Sequence, residues 1–296
     1  MITQDQVDAY NRDGFVIVPR VMDGAELSAM RQVIAEIVAG AASVTEHNDV
    51  YDLEPGHSAA EPRVRRIKAP TKVHRMFDDL VRSKKVVDIC KALIGTDVRM
   101  HGSKLNMKSA KYGSPVEWHQ DWAFYPHTND DILAIGVLLD DTTEENGPLL
   151  CVPGSHKGPV YNHHGADGRF CGSIDPADLA NEIPRGVPCV GPAGSMSFHH
   201  VRTLHGSAQN VSSRPRNLLL YEVAAADAWP LAGVKDYEEF ESRRLSGRPS
   251  LGIGKVPHRH VFDEEAPARG ADAHAFIPAD EAVLSNFGEQ LLACFS

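Results

Sequence analysis

The residues with the clearest chemical potential are His119 and Asp121, within the stretch Val116-Glu117-Trp118-His119-Gln120-Asp121-Trp122. This stretch is predicted to form a β-strand, on which residues two positions apart project to the same face. A histidine and a carboxylate on one face supply two of the three ligands of a 2-His-1-carboxylate site for Fe(II), in which further coordination positions stay open. A histidine distant in the sequence must then supply the third ligand. For the isolated pair, a hydrogen-bonded structural histidine is the alternative.

A second cluster, His205-Gly206-Ser207 with Arg216 downstream, could complete such a site. The connection over 209–215 is polar and turn-like, so we expect His205 and Arg216 to lie on neighbouring antiparallel strands. A small dicarboxylate could then bind iron at one end and Arg216 at the other, because a guanidinium forms bidentate, charge-assisted hydrogen bonds with a carboxylate. Ser207, in phase with His205, can donate a further hydrogen bond to that carboxylate.

The composition indicates a folded, acidic chain. Of the 296 residues, 42% are hydrophobic and 24% are charged, which is typical of a globular protein with a large core. The formal net charge of −10 argues against nucleic-acid binding, which needs a dominant basic face. The five cysteines lack Cys-x-x-Cys spacing and suit a reducing compartment. We find no signal peptide and no apolar run of membrane-spanning length, and therefore expect a cytoplasmic protein without membrane contact.

The first third of the chain predicts helices. Thr3 and Gln6 have the spacing of a capping box, and the helix that follows should end at Gly14, before a strand over 15–18. A second helix is predicted from Asp23 to Gly40 and a third over 77–94. Residues 41–63 predict an irregular loop. A basic stretch follows, for which we expect either a solvated face or contact with an anion at the site: Arg63, Arg65, Arg66, Lys68 and Lys72.

From residue 97 onward the pattern changes to short strands separated by turns. Strands are predicted near 97–107, 116–122, 132–140, 148–152, 187–190, 195–200 and 217–224. Helices followed by many strands indicate an α+β protein whose second half is a β-sandwich or jelly roll. Residues 159–186 predict a long loop over one mouth of the sandwich. After residue 225, helices are predicted near 235–245 and 279–294, with an extended loop over 246–277.

Four ordered motifs resemble the phytanoyl-CoA dioxygenase family of Fe(II)/2-oxoglutarate oxygenases over roughly residues 14–223. These motifs are Trp118-His119-Gln120-Asp121, Glu145-Asn146-Gly147-Pro148-Leu149, Val152-Pro153-Gly154-Ser155-His156, and His205-Gly206-Ser207 with Arg216. The resemblance implies a double-stranded β-helix, a cupin-like jelly roll, flanked by N-terminal helices. We therefore expect one oxygenase domain over 1–296, with a helical part at about 1–96, the jelly-roll core at about 97–225 and a C-terminal extension at about 226–296.

The same resemblance implies roles for individual residues. His119, Asp121 and His205 match the iron ligands, and Arg216 with Ser207 matches the clamp for the distal carboxylate of 2-oxoglutarate. Asn106 falls where relatives carry a polar residue that reaches this co-substrate, and Lys68 matches a family lysine near the pocket. The implied cofactors are Fe(II), 2-oxoglutarate and O2, with ascorbate as an additional reductant.

The function expected from these features is oxidation of a small or medium-sized organic molecule, with hydroxylation of an unactivated C–H bond as the default outcome and succinate and CO2 as co-products. Desaturation, epimerisation and cyclisation stay open, as does a homo-oligomer. Two other classes are weighed: a metal-dependent hydrolase or isomerase with the same ligands, and a non-catalytic cupin-like binding protein. His156, His163 and His164 lie in predicted loops, where we expect solvent exposure. Substrate contact and core packing are equally open for Trp122, Phe124, Tyr125 and His127.

Overall fold

The computed structural model describes residues 2–111 and 113–248. Six helices lie mainly in the first part of this range and twelve strands mainly in the second. The helices are α1 (Gln4–Asp13), α2 (Gly24–Gly40), α3 (Pro70–Val73), α4 (Arg75–Arg82), α5 (Lys84–Ile94) and α6 (Tyr237–Ser242). The strands are β1 (Phe15–Val18), β2 (Tyr51–Leu53), β3 (Val64–Lys68), β4 (Val98–Lys108), β5 (Val116–His119), β6 (Ile132–Leu138), β7 (Leu149–Cys151), β8 (Val187–Pro188), β9 (Met196–His200), β10 (His205–Ser207), β11 (Arg216–Ala225) and β12 (Arg244–Ser246).

The predicted capping box of α1 is confirmed, and α2 begins with a second one after the predicted start at Asp23. The Thr3 hydroxyl accepts from the Gln6 backbone N–H, and the Gln6 side chain accepts from the Thr3 backbone N–H. At α2, the Asp23 carboxylate accepts from the N–H groups of Ala25 and Glu26 at 2.9 Å. These bonds satisfy amide groups that lack a partner in the first helical turn. The left-handed backbone of Gly14 (φ 83°) ends α1, as predicted.

The strands form two sheets. The larger has the order β1-β9-β6-β11-β4-β3-β2, with β12 also paired to β4, and the smaller has the order β5-β10-β7-β8. All strand pairs are antiparallel. The predicted strands of the second half are confirmed to within a few residues at their ends, apart from β5. The mixed helix and sheet content agrees with the predicted α+β class and the jelly-roll core.

The hydrophobic core lies between the helices and the back of the larger sheet. Alternate residues of β11, including Leu219, Tyr221 and Val223, are buried in this core. Tyr221 also donates a hydrogen bond of 2.7 Å from its hydroxyl to the carbonyl of Phe77 in α4. The other face of β11 is thereby directed away from the helices and toward the smaller sheet.

Three local predictions are wrong. The helix over 77–94 is divided at Ser83, whose backbone is extended (ψ 142°) and whose hydroxyl donates to the carbonyl of Leu80. Serine competes for such backbone bonds and favours helix ends over helix interiors. The loop over 41–63 contains β2, and part of the basic stretch forms its partner β3. The strand over 116–122 ends at His119, and Asp121 begins a 3-10 turn.

Near the C-terminus, the helix expected at 235–245 corresponds to α6. The extended loop over 246–277, beyond its first residues, and the helix over 279–294 lie outside the described residues. No helix within the described part of the chain is long and apolar enough to cross a membrane.

Replacement of Asp23 by alanine tests the contribution of the α2 cap. Loss of its two hydrogen bonds should lower the free energy of unfolding by about 1 kcal/mol. Urea denaturation monitored by circular dichroism measures this change. Asp23→Asn is the matched control and should retain most of the stability, because asparagine also caps helices well. Wild-type stability of Asp23→Ala would contradict the assigned role.

Candidate active site

A cavity of about 770 Å³ lies between the two sheets. One wall consists mainly of even-numbered residues of β4 and β11, which are paired along almost their full length. The register places Lys108 opposite Arg216 at one end of this wall and Gly102 opposite Glu222 at the other. The smaller sheet supplies the facing wall, to which β5 and β10 contribute His119, His205 and Ser207. The alternation of the strands therefore separates the helix-facing core from a polar interior.

His119, Asp121 and His205 converge in this cavity. Direct pairing of β5 with β10 places His119 opposite His205, with ring centroids 4.1 Å apart. The Nε2 atoms of His119 and His205 lie 3.8 and 3.9 Å from the same oxygen of Asp121, Oδ1. One ligand atom from each residue lies within 4.8 Å of the other two, and all three residues are buried. The structure thus brings together the three residues that the sequence analysis selected as metal ligands.

Both histidines have their outer ring nitrogen fixed by the backbone. His119 Nδ1 lies 2.7 Å from the carbonyl of Glu117, and His205 Nδ1 lies 2.9 Å from that of Thr203. A carbonyl only accepts, so each Nδ1 carries the proton and each Nε2 directs its lone pair toward Asp121. This tautomer is the one required of a metal ligand. Burial lowers the pKa of both imidazoles, which favours their neutral, ligating form.

Asp121 is ionised and held by a further histidine. Burial alone would raise its pKa, but His205, a hydrogen bond from His199 and the charge of Lys104 keep the pKa well below its usual value. His199 Nε2 lies 3.3 Å from Asp121 Oδ2, the oxygen that faces away from the other two histidines. A residue that hydrogen-bonds to a carboxylate ligand and holds its orientation, as His199 does for Asp121, is typical of metal sites.

The turn between His119 and Asp121 is supported by buried polar contacts. The Gln120 side chain donates to the carbonyls of Pro159 and Arg202, and its backbone N–H donates to His163 Nε2 at 2.9 Å. The predicted exposure of His163 is therefore wrong, since the residue is 2% exposed. The hydrogen bond joins His163 to Gln120, which is 43 positions away, so the sequence around His163 did not indicate its burial. Burial also lowers the pKa of His163 to about 4, so that its Nε2 stays an acceptor.

Positive charge concentrates at the end of the cavity formed by Lys108 and Arg216. Both residues are buried, at 4% and 2% exposure. Lys108 Nζ donates to the Ser207 hydroxyl at 2.8 Å and to the carbonyl of Ala208, while Arg216 Nη2 donates to the carbonyl of Gly147 at 2.5 Å. Nε and Nη1 of Arg216 have no hydrogen-bond partner within 2–111 and 113–248. Two adjacent buried cations with unused donors favour a bound anion.

Gly147, from the second motif, is required by this packing. A Cβ atom at this position would lie 2.6 Å from the Ala208 carbonyl oxygen and 3.1 Å from the Lys108 side chain, and the backbone has a positive φ of 75°. Glycine accommodates both constraints. Sequence analysis did not identify Lys108, although its position two residues after Asn106 on the same predicted strand was a signal that it faces the same side.

Arg216 and His205 do not lie on neighbouring strands, so that expectation is wrong. β10 pairs with β5 and β7, whereas β11 pairs with β4 and β6. The polar connection crosses from the smaller sheet to the larger one, and the two residues face each other across the cavity. This arrangement leaves space for a ligand between them.

Asn106 and Lys68 also line the cavity. The Asn106 side-chain oxygen accepts from Arg66 Nε at 3.0 Å, and Lys68 Nζ lies 3.2 Å from Asp52 of β2. Phe124 and Tyr125 also line the cavity. Trp122 instead packs against a small hydrophobic cluster, as expected for a core residue.

The donor set fits a divalent iron and a dicarboxylate. Two neutral imidazole nitrogens and a carboxylate oxygen on one side of a cavity form a facial triad with open positions. The partnerless guanidinium atoms of Arg216, which lines the same cavity, fit a carboxylate. When bound, iron and 2-oxoglutarate supply oxygen activation coupled to oxidative decarboxylation.

Comparison with solved structures agrees with this architecture. The structure of EctD from S. alaskensis with 2-oxoglutarate and 5-hydroxyectoine superimposes with a TM-score of 0.66, over 86% of this chain and 87% of that chain, at 24% identity. The carbocyclase SnoK from nogalamycin biosynthesis, described as non-heme and alpha-ketoglutarate dependent, gives a TM-score of 0.62 at 25% identity, over 85% of this chain and 94% of that chain. The fold is thus the double-stranded β-helix of cupin-type dioxygenases.

Sequence comparison identifies the family. Residues 10–218 match the model of the phytanoyl-CoA dioxygenase (PhyH) family, and the chain belongs to this family. A probable alpha-ketoglutarate-dependent hypophosphite dioxygenase of Stutzerimonas stutzeri is 41% identical over 83% of this chain and 87% of its own length. L-proline trans-4-hydroxylase of Streptomyces griseoviridis is 30% identical over 71% and 82%. The protein is an iron- and 2-oxoglutarate-dependent dioxygenase, as predicted, and the hydrolase, isomerase and binding-protein alternatives are not needed.

Replacement of Lys108 by methionine tests the cost of its burial. The pKa of Lys108 is lowered from 10.5 to about 7, first by burial and then by Arg216. The unfolded chain therefore binds more protons between these pH values, and the penalty of burying Lys108 is largest near and below pH 7 and declines as the pH rises. In the absence of ligands, Lys108→Met should raise the free energy of unfolding near pH 7, and this gain should shrink toward about pH 10.

Urea denaturation across this pH range measures the effect. Lys111→Met is the control, because Lys111 is exposed and should show little gain at any pH. A destabilised Lys108→Met variant near pH 7 would contradict the charge penalty.

Proposed function

We propose that His119, Asp121 and His205 hold the iron of this dioxygenase. The observation that supports this proposal is the convergence of their ligand atoms, with the Nε2 atoms of both histidines 3.8 and 3.9 Å from the same oxygen of Asp121. His199 would hold the Asp121 carboxylate in place through Oδ2, leaving Oδ1 for the metal. Gln120 and His163 would fix the turn that joins the first two ligands.

Arg216, Ser207 and Lys108 are proposed to hold the distal carboxylate of 2-oxoglutarate. The carboxylate would accept from the partnerless Nε and Nη1 of Arg216 and from the Ser207 hydroxyl, which itself accepts from Lys108. Asn106 and Lys68, which line the same cavity, are proposed to contribute further polar contacts to the co-substrate. The larger sheet would then bind the distal carboxylate through Arg216, and the smaller sheet would contribute Ser207 to that end and the iron ligands His119 and His205 to the other.

The primary substrate is proposed to be a small anion, with phosphorus oxoanions as the leading class. The chain carries a net charge of −10, yet its cavity is lined by more basic than acidic side chains. Such a field attracts anions into a cleft. The relative with 41% identity is described as a hypophosphite dioxygenase, which makes hypophosphite the first candidate. The basic lining residues are Arg65, Arg66, Lys68, Lys72, Lys104, Lys108, Arg216 and Arg243, and the acidic ones are Glu117, Asp121 and Glu222.

The proposed reaction inserts one oxygen atom of O2 into a bond to hydrogen. With hypophosphite, a P–H bond would become P–OH to give phosphite, while the second oxygen atom enters succinate as 2-oxoglutarate loses CO2. C–H hydroxylation of an organic substrate, the reaction expected from the sequence, would distribute the two oxygen atoms in the same way, one to the substrate and one to succinate.

We further propose that residues 1–296 form one oxygenase domain, organised as the sequence analysis expects, and that the protein acts in the cytoplasm. A nucleic-acid or membrane partner has no part in this proposal, and a homo-oligomer stays open. The supporting observations are the net negative charge and the continuous pairing of the larger sheet through both halves of the described chain.

Anaerobic titration with Fe(II) and then 2-oxoglutarate tests the ligand assignments. A weak visible charge-transfer band should form only with both components and should be absent in His119→Ala. Arg216→Met should weaken 2-oxoglutarate binding by about tenfold or more, because it removes charge-assisted hydrogen bonds. Arg214→Met, at an exposed position in the preceding turn, is the matched control and should bind normally. Unchanged affinity in Arg216→Met would refute the clamp.

Phosphorus NMR tests the substrate class. With Fe(II), 2-oxoglutarate and O2, hypophosphite should be converted to phosphite, and succinate should form in an equal amount. His119→Ala should form neither product. Oxidation of L-proline or ectoine with no conversion of hypophosphite would overturn the phosphorus assignment and would leave the dioxygenase activity in place.

A further inference from the structure

We infer that Glu222, Lys104 and Tyr125 form a substrate-recognition subsite for a small zwitterion, in which an ammonium group binds Glu222 and an oxoanion binds Lys104 and Tyr125. This inference refines the proposed function, since it assigns a second functional group to the anionic substrate. The subsite lies at the opposite end of the β4–β11 wall from Arg216 and Lys108.

The first observation is the buried carboxylate of Glu222. The residue is 1% exposed and lines the cavity. Its Oε1 lies 3.3 Å from Lys104 Nζ, whereas Oε2 has no hydrogen-bond partner in the described part of the chain. A buried carboxylate oxygen without a donor is costly. A ligand that donates a charged hydrogen bond would remove this cost.

Gly102 shows that the wall accommodates this carboxylate. The glycine lies directly opposite Glu222 in the β4–β11 register, and a Cβ atom there would come within 2.6 Å of Glu222 Oε2. The missing side chain provides the space that Oε2 occupies, so the carboxylate lies against the β4 backbone at the edge of the cavity.

The second observation is the hydroxyl of Tyr125. Tyr125 is 5% exposed and lines the same cavity, and its hydroxyl is without a hydrogen-bond partner among residues 2–111 and 113–248. A phenol hydroxyl can donate as well as accept a hydrogen bond, so it can serve as a donor to an oxoanion. Tyr125 therefore lines the same cavity as the proposed iron ligand Asp121 and as Glu222.

These groups together define the ligand chemistry. Lys104 and the Tyr125 hydroxyl are donors suited to an oxoanion, and Glu222 Oε2 is an acceptor suited to an ammonium group. Hypophosphite alone would leave Glu222 Oε2 without a donor. An aminoalkyl phosphonate satisfies all three groups and retains the phosphorus oxoanion of the proposed function. An amino acid such as L-proline offers the same pairing with a carboxylate.

Matched ligand pairs test the ammonium contact in the enzyme loaded with Fe(II) and 2-oxoglutarate, without O2. Isothermal titration calorimetry would compare 2-aminoethylphosphonate with ethylphosphonate, and L-proline with cyclopentanecarboxylate. In at least one pair, the amine-bearing ligand should bind about tenfold or more tightly than its partner. Glu222→Gln, which keeps the side-chain shape, should abolish most of this preference and change binding of the amine-free ligand little.

Two further variants complete the design. Tyr125→Phe should weaken binding of both members of a pair, because it removes a donor to the oxoanion. Glu144→Gln is the control at an exposed position and should behave as wild type. Equal affinities within both pairs, or equal losses for both members in Glu222→Gln, would overturn the inference. Binding of the L-proline pair alone would refute the phosphorus class and leave the subsite supported.

Discussion

The site depends on the register of a very short strand pair. β5 has four residues and β10 has three, and their pairing places His119 directly opposite His205. A shift of one residue would direct one of the two imidazoles to the other face of the sheet. The carbonyls of Glu117 and Thr203, each two residues before its histidine, then fix both ring tautomers. Local backbone geometry therefore determines both the position and the protonation of the nitrogen ligands.

The larger sheet provides the charges that the smaller sheet lacks. Its β4 and β11 strands bury apolar side chains toward the helices and present Lys104, Lys108, Arg216 and Glu222 to the cavity. Burying Lys108 beside Arg216 is unfavourable until an anion binds. The extensive apolar core on the opposite face offsets this cost, so the same two strands can serve stability on one face and ligand binding on the other.

The sequence predicted the features that depend on residue type or on contacts within a few residues. The triad followed from residue types and order, and both helix caps followed from contacts within one turn. Sheet partners depend on distant residues, so the sequence did not reveal that His205 and Arg216 belong to different sheets. Burial is also a tertiary property. Lys108 is buried against Ser207, 99 positions away in the sequence, and His163 against Gln120, 43 positions away. The sequence around each residue therefore does not reveal its burial.

In the proposed site, strand geometry would also separate co-substrate binding from substrate choice. Lys108 and Lys104 lie four residues apart on β4, which corresponds to about 13 Å along an extended strand. The proposed iron ligands His119 and His205 lie on the facing sheet and line the same cavity. Changes at Gly102, Glu222 or Tyr125 can therefore alter the substrate while the Arg216 end stays constant. Family relatives described as acting on hypophosphite, ectoine and L-proline are consistent with this division, because it lets one oxygen-activating site serve chemically different substrates.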